Sequence, residues 1–276
     1  MNFEQGESHF LDVPGARLYY ETLGTGTVLV LVSGANGDHG IWAPLRQRLK
    51  DRFTVVTYDR RGFSQSKLES EQDYEHRLDT DADDVQRLIN HVSGSPAFVL
   101  GSSSGAIVTL NLLERHPESV KMAIVHEPPL SNLLPDAEEW SVFFFDIYDT
   151  YKQSGIPAAA QKFTSLVKNR ADAETMRKTL AEPRSEEVRQ NTNYWFEHEL
   201  RQYSTHAPNM DAIKRSADKI ILCIGEKSEG DFPSLPAHEM AKSLGKSIFY
   251  ISGGHLGYLF EPDGFAPGVI KALSTQ

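Results

Sequence analysis

Apolar residues gather in short unbroken runs, among them Val28-Leu-Val-Leu-Val32, Ala97-Phe-Val-Leu100 and Ile220-Ile-Leu-Cys-Ile224. Runs of this kind fit strands buried on both faces. Between them the period changes. Ala82, Val85, Leu88 and Ile89 recur at helical spacing within a strongly charged stretch, as on a helix with one buried face. The pattern predicts strands over 8–13, 17–21, 28–32, 54–58, 97–102, 122–125, 219–224 and 247–251, and helices over 41–50, 79–91, 104–116, 235–244 and 265–273. Pro14-Gly15-Ala16 is a turn that makes the first two strands an antiparallel hairpin. The remaining alternation predicts an α/β fold: a mostly parallel eight-stranded sheet with helices on both faces. The rhythm breaks between 133 and 208, which is helix-prone and rich in aromatics such as Trp140, Phe143, Phe144, Tyr151, Trp195 and Phe196. The expected organisation is a core of 1–132 and 209–276 carrying a helical cap, 133–208. No internal repeat or low-complexity linker interrupts it.

Composition narrows the partners. With 276 residues, 39% hydrophobic and 24% charged, the chain can bury a large core like an ordinary globular protein. A formal charge of −10 disfavours nucleic acid and anionic membrane; the small-molecule substrate expected as partner comes from the candidate chemistry. Cys223 is the only cysteine, so no internal disulfide and no cysteine metal cluster is expected, in keeping with a reducing compartment. The start, Met1-Asn-Phe-Glu-Gln-Gly-Glu, lacks a basic and an apolar leader region, and no apolar run has membrane-spanning length. The cytoplasm is the expected location. Monomer and homodimer both stay open.

The chemistry concentrates in Phe98-Val-Leu-Gly-Ser-Ser-Ser-Gly-Ala-Ile-Val108. It reads as a buried strand, a G-x-S-x-G turn centred on Ser103, and the start of a helix, a geometry that lifts a serine hydroxyl clear of the sheet. A serine hydroxyl is a poor nucleophile at neutral pH and needs a base, which in turn needs an orienting group. His255 is the best base among ten histidines, because it follows the last strand in the glycine-rich Gly253-Gly254-His255-Leu256-Gly257. That loop hangs over the carboxyl edge of the sheet, where open α/β sheets place ligands. His116, His91 and His76 sit in polar helical contexts. His39, in the loop after the third strand, is a candidate pocket wall. For the acid, Glu127 directly follows a strand, and Pro128 favours an extended backbone at it. Asp231 and Glu229 offer carboxylates from the loop after 219–224.

Four landmarks in order give the chain a resemblance to the α/β-hydrolase superfamily over essentially its full length. They are Ser33-Gly34-Ala35-Asn36-Gly37-Asp38, where the superfamily usually carries His-Gly; Asp59-Arg60-Arg61-Gly62-Phe63-Ser64, similar to its D-x-R-G-x-G-x-S turn; the Ser103 elbow; and the His255 loop. The resemblance implies oxyanion donors at the N–H of Ser104, after the nucleophile, and of Ala35, beside Gly34. It places the acid after the strand preceding Gly225-Glu226-Lys227-Ser228, where this chain has no carboxylate at the matching position. Locally, Ser102-Ser103-Ser104-Gly105-Ala106 with His126-Glu127-Pro128 resembles the fungal zearalenone-type lactone hydrolases, whose acid lies after the sixth strand. That resemblance makes Trp195 a substrate-binding candidate, with Trp140 beside it. Glu127 leads Asp231 as the acid, and the choice stays open.

No metal-ligand spacing or phosphate loop is present, and Gly24-Thr25-Gly26 lacks the helix of a dinucleotide site; no cofactor or metal is expected. The expectation is a serine hydrolase of an ester or lactone with a bulky apolar or aromatic substrate. A carbon–carbon bond hydrolase, a cofactor-free peroxidase and a non-catalytic small-molecule receptor are the other readings, because fold does not fix reaction.

Overall fold

The computed structural model describes residues 3–181 and 185–274; residues 182–184 of the expected cap, and both chain ends, lie outside the described residues. Nine strands form one sheet: β1 (Glu7–Val13), β2 (Ala16–Leu23), β3 (Thr27–Val32), β4 (Phe53–Tyr58), β5 (Lys67–Leu68), β6 (Ala97–Ser102), β7 (Val120–His126), β8 (Ile220–Gly225) and β9 (Phe249–Ile251). Their spatial order is β1-β2-β4-β3-β6-β7-β8-β9, with β5 paired to β2. The first two strands form the expected hairpin, Val13 facing Ala16 across a turn in which Gly15 has φ 76°. Strand β2 runs antiparallel to β4 and β5, and the pairs along β4-β3-β6-β7-β8-β9 are all parallel. Eight strands were expected. The ninth, β5, is two residues long, too short to produce any alternation in the sequence.

The central strands are rich in apolar residues on both faces because each one feeds two cores. In β3, Val28, Val30 and Val32 enter one cluster while Leu29 and Leu31 enter the other. The first cluster is covered by α2 (Arg77–Val92) and α3 (Ser104–Arg115), the second by α1 (Ala43–Leu49) and a C-terminal helix (Pro262–Ser274). Between β7 and β8 the chain is helical: α4 (Ala137–Ser154), α5 (Ile156–Thr164), α6 (Arg170–Ala181), α7 (Glu186–His198), α8 (Leu200–Ser204) and α9 (Met210–Arg215). Helices α4 to α8 share a third cluster, in which Phe144, Ile147, Ala160, Trp195 and Phe196 pack onto Phe63 and Phe232 from the loops after β4 and β8. The insertion therefore rests on the carboxyl edge of the sheet. Among the described residues no helix is long and apolar enough to cross a membrane.

Candidate active site

Ser103 stands between β6 and α3 with φ 58° and ψ −126°. A non-glycine residue with positive φ stores on the order of 1–3 kcal/mol of strain, which the surrounding structure must offset. Here the Ser103 N–H donates to His126 O at 3.0 Å, and its carbonyl accepts from Ala106 N at 2.9 Å. The two flanking glycines are required by close approach. A Cβ on Gly101 would lie 2.2 Å from Gly105 O, and one on Gly105 would lie 2.1 Å from Val32 O. Ser104 opens α3, where first-turn N–H groups have no partner within the helix. Gly34 faces the elbow so closely that a Cβ on it would be 2.9 Å from Ser103 Cβ.

His255 and Glu127 meet at the same edge. His255 Nδ1 lies 2.5 Å from Glu127 Oε2, and Gly225 N–H donates to Glu127 Oε1 at 2.8 Å. Both side chains are buried. The glycines before His255 are again required: Gly253 has φ 94°, and a Cβ on Gly254 would fall 2.2 Å from Asp172 Oδ2. The extended backbone expected at Glu127 is not what forms. Glu127 has φ 50°, in the left-handed region, because its N–H bonds Cys223 O at 3.1 Å and its carboxylate is pinned between Gly225 and His255. Those bonds override the preference that Pro128 imposes.

Electrostatics follow from this packing. Burial works to raise the Glu127 pKa, but His126, the His255 bond and the Gly225 N–H outweigh it and hold Glu127 at about 2. Burial pushes His126 down to about 4, so it is neutral at pH 7 with its Nδ1 2.9 Å from Ser102 Oγ. For His255 burial alone would lower the pKa; the bond to Glu127 and its charge, with Asp172 and Asp231 behind, raise it above the ordinary imidazole value.

The other two carboxylates are engaged elsewhere. Asp231 accepts from Lys168 N at 3.0 Å and Asn169 N at 3.5 Å, fastening the loop between α5 and α6. Glu229 is exposed and pairs with His238 and Tyr250. Ser228, where the resemblance implies an acid, is buried. Asp172 was not singled out from the sequence. It sits on α6 with its carboxylate toward the backbone N–H groups of Leu256 and His255, and nothing in a charged helical stretch distinguishes it from its neighbours.

Ser103 and His255 line a cavity of about 80 Å³ together with Gly34, Ala35, Asn36, Ile41, Phe163, Thr175, Met176, Thr179, Leu180, Leu256, Tyr258 and Leu259. Its wall is mixed: Ala35, Ile41, Met176, Leu180, Leu256 and Leu259 are aliphatic, and Phe163 and Tyr258 add aromatic rings. Thr175, Met176, Thr179 and Leu180 form one stripe of α6, a periodicity the sequence carries. Trp195, Trp140 and His39, expected on the pocket wall, are not among these lining residues. Trp195 is 2% exposed and packs edge-on against Phe163 at 4.9 Å, so it backs the wall without reaching the space. Trp140 lies against Phe232 at 4.3 Å. His39 is turned to the sheet edge, Nδ1 2.6 Å from Asp59 Oδ1 and Nε2 3.3 Å from Glu21 Oε1. Asp38, His39 and Asp59 offer ligand atoms within 4.8 Å of one another, but His39 already bonds Asp59, and Asp38 accepts from Ser64 Oγ and Gly40 N–H.

Comparison with known proteins agrees with the fold. Residues 27–262 match the family model for the alpha/beta hydrolase fold. A Bacillus subtilis (strain 168) protein named as a hydrolase, YraK, is 33% identical over 254 residues, covering 90% of this chain and 89% of its own. Among solved structures, a thermophilic esterase from Thermogutta terrifontis superposes with a TM-score of 0.74 at 18% identity, covering 97% of this chain and 98% of that one. The enol-lactonase from Burkholderia xenovorans LB400 does so with a TM-score of 0.72 at 18% identity, covering 96% and 100%. At that identity the two structures speak for the fold alone. With a family match spanning most of its length and a relative aligned over nine-tenths of it, the chain belongs to the α/β-hydrolase fold family.

Proposed function

We propose that the protein is a serine hydrolase that cleaves carboxylic esters or lactones through an acyl-enzyme, with Ser103, His255 and Glu127 as its catalytic residues. The observation that carries this reading is the 2.5 Å contact between His255 Nδ1 and Glu127 Oε2, with His255 and Ser103 on one cavity wall. Glu127, ionised down to about pH 2, holds the His255 Nδ1–H and leaves Nε2 as the basic nitrogen. Ser103 Oγ attacks the substrate carbonyl as its proton passes to Nε2, giving a tetrahedral oxyanion. The N–H groups of Ala35 and Ser104 receive that charge, each worth about 3 kcal/mol of barrier. Collapse expels the alcohol, which takes the proton from His255. A water then repeats the sequence and frees the acid and Ser103.

In the same reading residues 133–208 act as a cap over the core of 1–132 and 209–276, with α6 as the wall of the acyl pocket. The aromatics that suggested a bulky substrate are packed against one another, Trp195 on Phe196 at 4.7 Å and Tyr151 on Phe196 at 4.8 Å. A cavity of about 80 Å³ fits a compact acyl group better than a macrocyclic one. The test compares p-nitrophenyl acetate and butyrate with a benzoate ester and a macrocyclic lactone, for wild type and Ser103→Ala. Short esters should be turned over fastest, and Ser103→Ala should lose at least about 10³-fold in kcat. Hydrolysis by Ser103→Ala within about tenfold of wild type removes Ser103 from the mechanism.

A further inference from the structure

We propose that Arg60 is a positioning residue that aims and polarises the oxyanion donor of Ala35, an inference that rests on the reading above. Arg60 occupies the variable place in the D-x-R-G pattern of Asp59-Arg60-Arg61-Gly62, and its side chain has no exposed surface. Its Nη1 donates to Asp81 Oδ2 at 2.8 Å and to Glu199 Oε1 at 2.9 Å. Its Nη2 donates to Glu199 Oε2 at 2.7 Å and to the main-chain carbonyl of Gly34 at 2.9 Å. Asp81 belongs to α2, and Glu199 joins α7 to α8. Arg77 adds a second buried cation, 2.7 Å from Glu199 Oε1, and Tyr203 Oη bonds Asp81 at 2.8 Å. Two guanidinium groups and two carboxylates leave this cluster neutral.

The contact with Gly34 is where the cluster meets the chemistry. The described peptide bonds are all trans, so the N–H of Ala35 points opposite to the carbonyl of Gly34. That carbonyl is fixed by Arg60 and by Gly37 N–H at 3.0 Å, while the Arg60 N–H returns to Gly37 O at 2.9 Å. Gly34 and Ala35 line the cavity beside Ser103. Holding the carbonyl on the buried side turns the opposite N–H toward the place where the oxyanion forms. A cation on the carbonyl also polarises the peptide and strengthens its N–H as a donor. A buried ion network is weak evidence of stabilisation by itself, since apolar replacements are often as stable. Its contact with the oxyanion loop supplies a reason for one here.

The test is inactivation by an alkyl fluorophosphonate. Ser103 Oγ forms a bond to phosphorus as the P–F bond breaks, fluoride leaves and the serine proton passes to His255. Reversible binding (KI) and the bond-forming rate (kinact) are measured separately. Arg60→Met with Glu199→Gln removes the contact and leaves the Arg77–Asp81 pair balanced. Arg61→Met with Asp84→Asn is the control, because it removes another buried pair (2.8 Å), between the loop after β4 and α2, that does not touch Gly34. The first double variant should lower kinact by about 10- to 100-fold with KI within about twofold, and the control should leave kinact within about twofold. If the first double variant does not fold, Arg60→Lys is read by the same criterion, since one ammonium cannot reproduce the forked contacts. A kinact within twofold of wild type, a KI that moves with kinact, or an equal loss in the control overturns the proposal. Wild type left unlabelled at Ser103 overturns instead the serine-hydrolase reading.

Discussion

At the scale of single residues the chemistry turns on which carboxylate faces His255. Glu127 does so from a positive-φ backbone, with one oxygen on His255 and the other on Gly225 N–H. Glu127→Gln keeps the shape and loses the charge that stabilises the imidazolium, so kcat should fall by up to about 10⁴-fold. Asp231→Asn should cost stability instead, about 1–2 kcal/mol seen as a lower Tm, because Asp231 accepts two N–H groups of the α5–α6 loop. If Asp231→Asn is the crippled variant, the acid is misassigned. The pH profile gives a second check. His255 must be neutral to accept a proton and is charged below its pKa, which the surrounding carboxylates raise. The acid limb of kcat/KM should therefore lie above about 6.5, the unperturbed histidine value, and should move to lower pH in Glu127→Gln. A limb that stays in place would separate His255 from Glu127. Ser103, His255 and Glu127 were readable in the sequence because glycines and strand ends flag them. The backbone of Glu127 was not, because its partners Cys223 and Gly225 lie about a hundred residues away.

At the scale of elements, the helical insertion shows that an aromatic count does not say which rings face the cavity. Aromatic residues in amphipathic helices were visible as a set, but which of them faced the cavity depended on how α4 to α8 pack together. Trp195 went inside. Trp195→Ala should thus destabilise by about 3–5 kcal/mol, read as a fall in Tm, with KM for a short ester nearly unchanged. A raised KM with unchanged Tm would return Trp195 to the binding site. The α6 stripe is where selectivity should respond. Met176→Ala enlarges the aliphatic wall, and kcat/KM for a hexanoate ester relative to an acetate should rise by about tenfold. An unchanged ratio would show that the acyl group lies elsewhere.

At the scale of the whole molecule, the strand order converts distant sequence into one edge. The parallel run β3-β6-β7-β8-β9 sets the loops carrying Gly34, Ser103, Glu127 and His255 side by side. Period and punctuation sufficed to read that sheet, since every central strand is mostly apolar and every site loop is marked by glycine or proline. The buried cluster of Arg60 and Glu199 was not readable, because its members are 139 residues apart and charged residues normally face solvent. The central claim is that Ser103 is the nucleophile, and active-site titration with an alkyl fluorophosphonate, read by intact and peptide mass, tests it most directly. One phosphonyl group per chain on Ser103, abolished in Ser103→Ala and matching the loss of esterase activity, is the predicted result. Full labelling that leaves hydrolysis intact, or an adduct on another residue with Ser103 unmodified, would contradict it.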